Sequence, residues 1–300
     1  MRTVYLGHNP GYVSACYEET ELTAVFWHSS EGNIAKRTEI MLDYCRKKRI
    51  ITVHHSKLNR EIEQMISSIE PDLIVVGEYH FLLKKKIIDI PRLGAINMHG
   101  APLPRYRGAH PINWMIINGE TEGAVTCHYI TEGLDNGDII GQYTFPILDT
   151  ETAYDVRPKI EAAGQRLLVD VLRRFKAEGK VVGVPQDESK AFYTPPRKPE
   201  DGLIDWNVPP KRVYDFVRAL TKPYPGAFAW IDDKKVYLWR VELPSGESIS
   251  NDDYVTPGTV LKKWKGGFKI AVFGGAVNVI DWETDGRNIE VNDRLVGKNV

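Results

Sequence analysis

Asn97 and His99 stand two residues apart at the end of a short apolar run, Ala95-Ile96-Asn97-Met98-His99. On a strand, residues two apart face the same side. An amide and an imidazole therefore leave this strand end together. A loop rich in Pro, Gly and Arg follows from Ala101 to Gly108, and then a helix-like stretch from Pro111 to Gly119. Further on, Asp135 lies in the turn-forming run Gly133-Leu134-Asp135-Asn136-Gly137-Asp138. An amide can hold an oxyanion, an imidazole can move a proton, and a carboxylate can tune the imidazole. Together they make a complete acyl-transfer set that requires no metal. His54 and His55 are adjacent on a strand-like run and point opposite ways, and the other histidines lack ligand spacing, so no metal site is expected. Cys127, inside Val125-Thr126-Cys127-His128-Tyr129-Ile130, reads as a residue packed on a strand.

The elements that must carry these residues alternate. Apolar, β-rich runs occur at Val4 to Leu6, Ala24 to Trp27, Ile50 to Val53, Leu73 to Val76 and Ala95 to Met98, with helix-compatible stretches such as Ala35 to Lys47 and Asn59 to Ile69 between them. This pattern predicts a parallel, doubly wound α/β sheet. Ligands of such sheets bind beyond the carboxyl ends of strands. The Gly7-His8-Asn9-Pro10-Gly11 loop is not G-x-G-x-x-G, so a nicotinamide dinucleotide is not expected. Thr152 to Glu178 reads as a long helix with Val156, Ile160, Ala163, Leu167, Val171 and Phe175 on one stripe, covering the sheet. Tyr193 to Gly202 reads as a linker, which divides the chain into domains 1–200 and 201–300. After a helix at Pro210 to Leu220 come five short strand candidates: Phe228 to Ile231, Lys235 to Val241, Thr259 to Leu261, Phe268 to Val272 and Val277 to Trp282. They suggest a small OB-like barrel.

Composition narrows the class. The chain has 300 residues, 42% hydrophobic and 26% charged, as expected for a globular protein of about two domains. No run of about eighteen apolar residues is present, and the first strand-like run is too short for a secretory signal, so no membrane partner is expected. Three cysteines without a C-x-x-C fit reduced thiols in a cytoplasm. The formal net charge is −1, and short clusters such as Lys84-Lys85-Lys86 and Lys262-Lys263 read as solvated surface. A protein that grips many phosphates usually carries a visible basic excess.

Three pieces occur in order: Asn97-Met98-His99-Gly100 as N-x-H-G, Leu103 to Gly108 as L-P-x-x-R-G, and Gly133 to Asp138 as G-x-D-x-G-D. In this combination and spacing the chain resembles the 10-formyltetrahydrofolate-dependent N-formyltransferases. The resemblance implies a Rossmann-like catalytic domain with a mostly parallel sheet, followed by the small OB-like barrel. It implies Asn97 as oxyanion donor, His99 as proton mover and Asp135 as its carboxylate, with His99 raised in pKa by that carboxylate. It also implies 10-formyltetrahydrofolate as co-substrate. Phe81, Leu82 and Leu83 would form the apolar side of its pocket, and Thr131, Glu132, Gly133, Leu134 and Asp135 the other wall. Arg105, Arg107 and His110 line the same mouth as weaker candidates for substrate binding. Ala101 and Pro102 depart from the commoner serine and leucine at these positions.

Two acceptors within the family compete. The tRNA-formylating members commonly carry a basic insertion after the second strand, whereas this chain reads Phe26-Trp27-His28-Ser29-Ser30-Glu31-Gly32-Asn33 with only Lys36 and Arg37 following. Together with the balanced charge, this favours a nucleotide-linked amino sugar over methionyl-tRNA. A non-catalytic folate- or nucleotide-binding protein on the same fold is the alternative of another class. The intact Asn97, His99 and Asp135 argue against it. A homo-oligomer stays open.

Overall fold

The structure is a computed structural model that describes residues 1–30, 32–244 and 255–298. Glu31, within the stretch read as lacking a basic arm, lies outside the described residues. Along the chain run β1 (Arg2–Gly7), α1 (Pro10–Glu19), β2 (Glu21–Trp27), α2 (Gly32–Lys48), β3 (Ile51–His54), α3 (Arg60–Ile69) and β4 (Leu73–Gly77). Next come α4 (Lys85–Ile88), β5 (Ala95–His99), β6 (Arg107–Gly108), α5 (Pro111–Ile117), β7 (Glu122–Tyr129), β8 (Ile139–Pro146), α6 (Ala153–Glu178) and β9 (Tyr193–Thr194). The last elements are α7 (Pro210–Leu220), β10 (Ala227–Ile231), β11 (Lys234–Glu242), β12 (Val260–Trp264), β13 (Gly267–Val272) and β14 (Gly275–Thr284). Contacts gather these into two compact units. The first holds Met1–Gly108, Glu122–Pro146 and Pro158–Thr194; the second holds Ala109–Thr121, Ile147–Arg157 and Pro195–Val300.

The first unit is a seven-stranded sheet in the order β3-β2-β1-β4-β5-β7-β8. The β3 to β5 part is parallel, and β7 and β8 are antiparallel additions at one edge. Parallel strands are covered on both faces, so they read as continuous apolar runs. β4, Leu-Ile-Val-Val-Gly, is buried throughout. Val4, Leu6, Phe26, Ile74, Val76, Ile62, Ile66 and Ile87 share one core cluster with Leu83. α1 begins where the sequence reads as loop: Asn9 caps it by accepting from the Tyr12 N–H at 3.2 Å, and Pro10 opens its first turn. On α6 the expected stripe is buried except at Ala163, which is only partly covered.

The expected linker is built structure at its start. Tyr193 and Thr194 pair with Arg107 and Gly108 in a two-stranded parallel ladder. Backbone bonds to β6 outweigh the local signal of the prolines that follow. The second unit carries α5, α7 and a five-stranded antiparallel sheet ordered β10-β11-β14-β13-β12. The Val296 and Trp230 backbones exchange hydrogen bonds of 2.8 and 2.6 Å, while Leu295 donates to Gly258 at 2.8 Å and Asn292 to Val260 at 2.9 Å. The 292–296 segment thus bridges both edge strands and closes the sheet into a small barrel.

β1 and β4 approach closely at their carboxyl ends, where Gly7 pairs with Gly77. Gly7 has φ +143, and a Cβ there would lie 1.9 Å from the Gly77 carbonyl oxygen. Gly7→Ala is expected to destabilise the protein by more than about 2 kcal/mol, because it adds backbone strain to overpacking. Urea unfolding of the variant with an unchanged midpoint would contradict this close approach.

Candidate active site

β5 delivers Asn97 and His99 to the edge of the parallel part of the sheet. The turn between β7 and β8 brings Asp135 over them. Asp135 adopts φ +50, a left-handed conformation that Asp tolerates better than most residues. Its Oδ2 accepts the Gly108 N–H at 2.9 Å and lies 3.5 Å from His99 Nδ1. Its Oδ1 lies 3.4 Å from Asn97 Nδ2 and 3.5 Å from His128 Nε2. Asp135, and not Asp138, is the carboxylate that meets His99. His99 is 7% exposed, and its Nε2 is 2.8 Å from the Tyr106 carbonyl oxygen. A carbonyl only accepts, so Nε2 carries a hydrogen in this arrangement.

A strut beneath the turn holds Asp135 in place. Gln186 donates to the carbonyls of Asp135 at 2.8 Å and Gly137 at 2.7 Å, and its Oε1 accepts from Arg107 Nη2 at 2.8 Å. Arg107 is 0% exposed and grips Glu188 at 2.6 and 2.9 Å and the Tyr193 hydroxyl at 3.0 Å. Its guanidinium is thereby committed inside the fold. The Arg105 guanidinium lies 5.3 Å from the Tyr106 ring centre. His110 belongs to the second unit, where its Nδ1 accepts the Arg197 N–H at 2.9 Å.

The other candidates separate. Leu83 is packed into the core, Leu82 is 71% exposed, and Phe81 lies half-buried against the rings of His28, His55 and Tyr79. Thr131 to Leu134 form an exposed turn in which Thr131 accepts the Gly133 N–H at 3.2 Å. Cys127 is fully buried, and burial pushes its thiol up, as expected for a packing residue. Among the described residues no group of three or more His, Cys, Asp or Glu is arranged to hold a metal ion.

Sequence reasoning missed His128. It faces Asn97 directly across the antiparallel β5–β7 pair, and its Nε2 lies 3.2 Å from Asn97 Nδ2. The signal was the alternation in Val-Thr-Cys-His-Tyr, which puts Thr126 and His128 on one face and Cys127 on the other.

Residues 28–172 match the formyl transferase family, and residues 197–298 match the formyl transferase C-terminal domain. The chain is 37% identical over 241 residues to methionyl-tRNA formyltransferase of Geotalea uraniireducens, covering 80% of this chain and 74% of that protein. The chain belongs to the formyl transferase family. A further relative is the bifunctional polymyxin resistance protein ArnA of Wigglesworthia glossinidia brevipalpis, 38% identical over 196 residues, which is 65% of this chain and 29% of that one. In fold, this formyltransferase resembles the N-formyltransferase from Helicobacter canadensis crystallised with folinic acid and dTDP-3-aminofucose. The TM-score is 0.69 at 18% identity, over 94% of this chain and 99% of that one.

The electrostatics of the cluster around Asp135 set burial against neighbouring charges. Burial alone would raise the Asp135 carboxyl, but His99, His128 and the Gly108 N–H hold it well below the usual carboxylate range. For His99 the balance goes the other way from the expectation. Burial pushes the imidazole below its ordinary 6.5, and the pull of Asp135 offsets this only in part. Titration of the His99 ring followed by NMR should give a midpoint below 6.5. Asp135→Asn removes the raising charge and should move that midpoint lower still; an upward move would contradict the assignment of Asp135 as partner.

Proposed function

We propose that this formyltransferase moves the formyl group of 10-formyltetrahydrofolate to the amine of a nucleotide-linked amino sugar. The observation that carries the transfer is that Asp135 lies within 3.5 Å of both Asn97 and His99, which share one strand end. The flanking residues fit the folate co-substrate: Phe81 and exposed Leu82 offer apolar surface, and the Thr131–Leu134 turn offers solvent-facing backbone.

His99 takes the proton from the attacking amine, which must be neutral to act as a nucleophile. The new C–N bond forms at the formyl carbon as its carbonyl oxygen becomes an oxyanion. Asn97 donates to that oxygen; loss of one such donor typically costs about 100- to 1000-fold in rate. His99 then returns the proton to the departing folate nitrogen as the old C–N bond breaks. The nitrogen that faces Tyr106 is the one able to exchange its partner for substrate; to take the proton it must first be bare, so the ring hydrogen moves to Nδ1, where Asp135 Oδ2 accepts it. Asp135 stays ionised and stabilises the imidazolium between the two transfers.

The acceptor reading rests on the balanced charge and on the stretch after Trp27, which lacks a basic arm. The fold neighbour holding dTDP-3-aminofucose supports it. Methionyl-tRNA is the second reading, favoured by the relatives that share 80% of this chain. The three free cysteines, all buried, suit a reducing cytoplasm.

His99→Ala and Asp135→Asn should each lower turnover by orders of magnitude with folding retained, while Asp138→Asn should be milder, as measured by tetrahydrofolate release. A dead Asp138→Asn protein beside an active Asp135→Asn protein would reverse the assignment. For the acceptor, UDP-, dTDP- and GDP-linked 4-amino sugars are compared with charged initiator tRNA by kcat/KM at low and physiological salt. Duplex binding loses affinity with a slope of about −0.9 per phosphate contact, so a sugar-nucleotide KM should change only modestly. If tRNA gives the higher kcat/KM at physiological salt, the acceptor is tRNA.

A further inference from the structure

His128 is 2% exposed and sits opposite Asn97 in the β5–β7 register. Its Nδ1 lies 2.8 Å from the Tyr129 carbonyl oxygen. That oxygen can only accept, so Nδ1 carries a hydrogen. In the neutral ring Nε2 is then bare, an acceptor 3.2 Å from Asn97 Nδ2. The same amide nitrogen has a second, longer contact of 3.4 Å to Asp135 Oδ1. The Asn97 amide therefore has one firm anchor and one weak one.

We propose that His128 is a positioning residue for formyl transfer: as the Nδ1–H tautomer it fixes which end of the Asn97 amide is nitrogen and leaves the second N–H to exchange Asp135 for the developing oxyanion. The proposal rests on the formyl-transfer reading. The amide is planar, so an acceptor on one N–H sets the direction of the other. Without that acceptor the side chain is free to turn its oxygen toward the reacting carbonyl, which repels an oxyanion. Asp135 cannot do this job alone. Its Oδ2 is committed to Gly108, and its Oδ1 contact to the amide is the longer of the two. A doubly protonated His128 would present a donor to a donor at Nδ2 and would pair with Oδ1 of Asp135 instead, so the neutral tautomer is the one that serves.

Two polar substitutions separate this role from packing. His128→Gln places an oxygen where Nε2 stood; His128→Asn places its polar atoms near Nδ1 and leaves Asn97 without an acceptor. The expected result is a kcat within about threefold of the parent for His128→Gln. For His128→Asn a fall of about 10- to 100-fold is expected, less than full loss of an oxyanion donor, with KM for both substrates little changed. Because His128 acts through Asn97, His128→Asn should add almost nothing in an Asn97→Ala background. Equal activity of the Gln and Asn variants, or additive losses in the double variant, overturns the proposal. A second readout needs no turnover: the Asn97 side-chain NH2 resonances should keep their shift and slow exchange in His128→Gln and lose them in His128→Asn. If the parent transfers no formyl group to any amine, the reaction reading fails, and these resonances alone decide whether His128 anchors the amide.

Discussion

A buried carboxylate is the constraint around which the first unit is arranged. Asp135 sits where water is scarce, and an ion there costs several kcal/mol unless donors surround it. The chain surrounds it from three separate segments: the Gly108 N–H and Asn97 Nδ2 donate to it, and the rings of His99 and His128 lie 3.5 Å away. None of these is a local neighbour of Asp135 in sequence. The carboxylate therefore ties the L-P-R-Y-R-G loop, the β5 strand end and β7 to one point. Its left-handed backbone is the conformation that turns it inward, and Gln186 locks that backbone by accepting nothing from it and donating twice.

The strut continues outward from there. Gln186 is held by Arg107, and Arg107 by Glu188 and Tyr193. A fully buried guanidinium needs its donors filled, and this one is filled on three sides. The consequence is a change of role. Arg107 stands in the loop that frames the site, yet its charge is spent on fixing the turn that carries Asp135. Gly108 beside it completes the arrangement, because a Cβ there would lie 2.6 Å from the Thr194 carbonyl oxygen.

Much of this is legible in the sequence where local chemistry decides. The parallel strands show as apolar runs because both faces are covered, and the two-residue spacing of Asn97 and His99 follows from the pleat. The turn run Gly133 to Asp138 announces a sharp reversal. What escapes is what depends on distant partners. Arg107 and Glu188 are 81 residues apart, so no local pattern pairs them. His128 matters only once the β5–β7 register is known. α1 was hidden because Pro10 and Gly11 read as loop, although an Asn followed by Pro is also a helix start. The direction of the His99 shift was misread for a related reason: the neighbouring charge can be guessed from a motif, but the degree of burial that outweighs it cannot.

The carboxyl ends of β1 to β4 carry a different chemistry from β5. His8, His28, His55 and His80 follow these strands, and His8 Nε2 lies 3.0 Å from His28 Nε2. Burial pushes His8 and His55 down to about 4, so both are neutral near pH 7. Arg37, whose charge acts on His8, is already paired with Glu78 at 2.6 Å and Glu161 at 3.2 Å. Switch points between β1 and its two neighbours are where ligands of open α/β sheets bind. Here these strand ends offer imidazoles, the Tyr79 hydroxyl and an arginine already paired with two carboxylates. Such groups hydrogen-bond a small polar acceptor well and give a polyanion little long-range attraction. The side chains at these strand ends are thus suited to a few directed hydrogen bonds rather than to attraction by charge density.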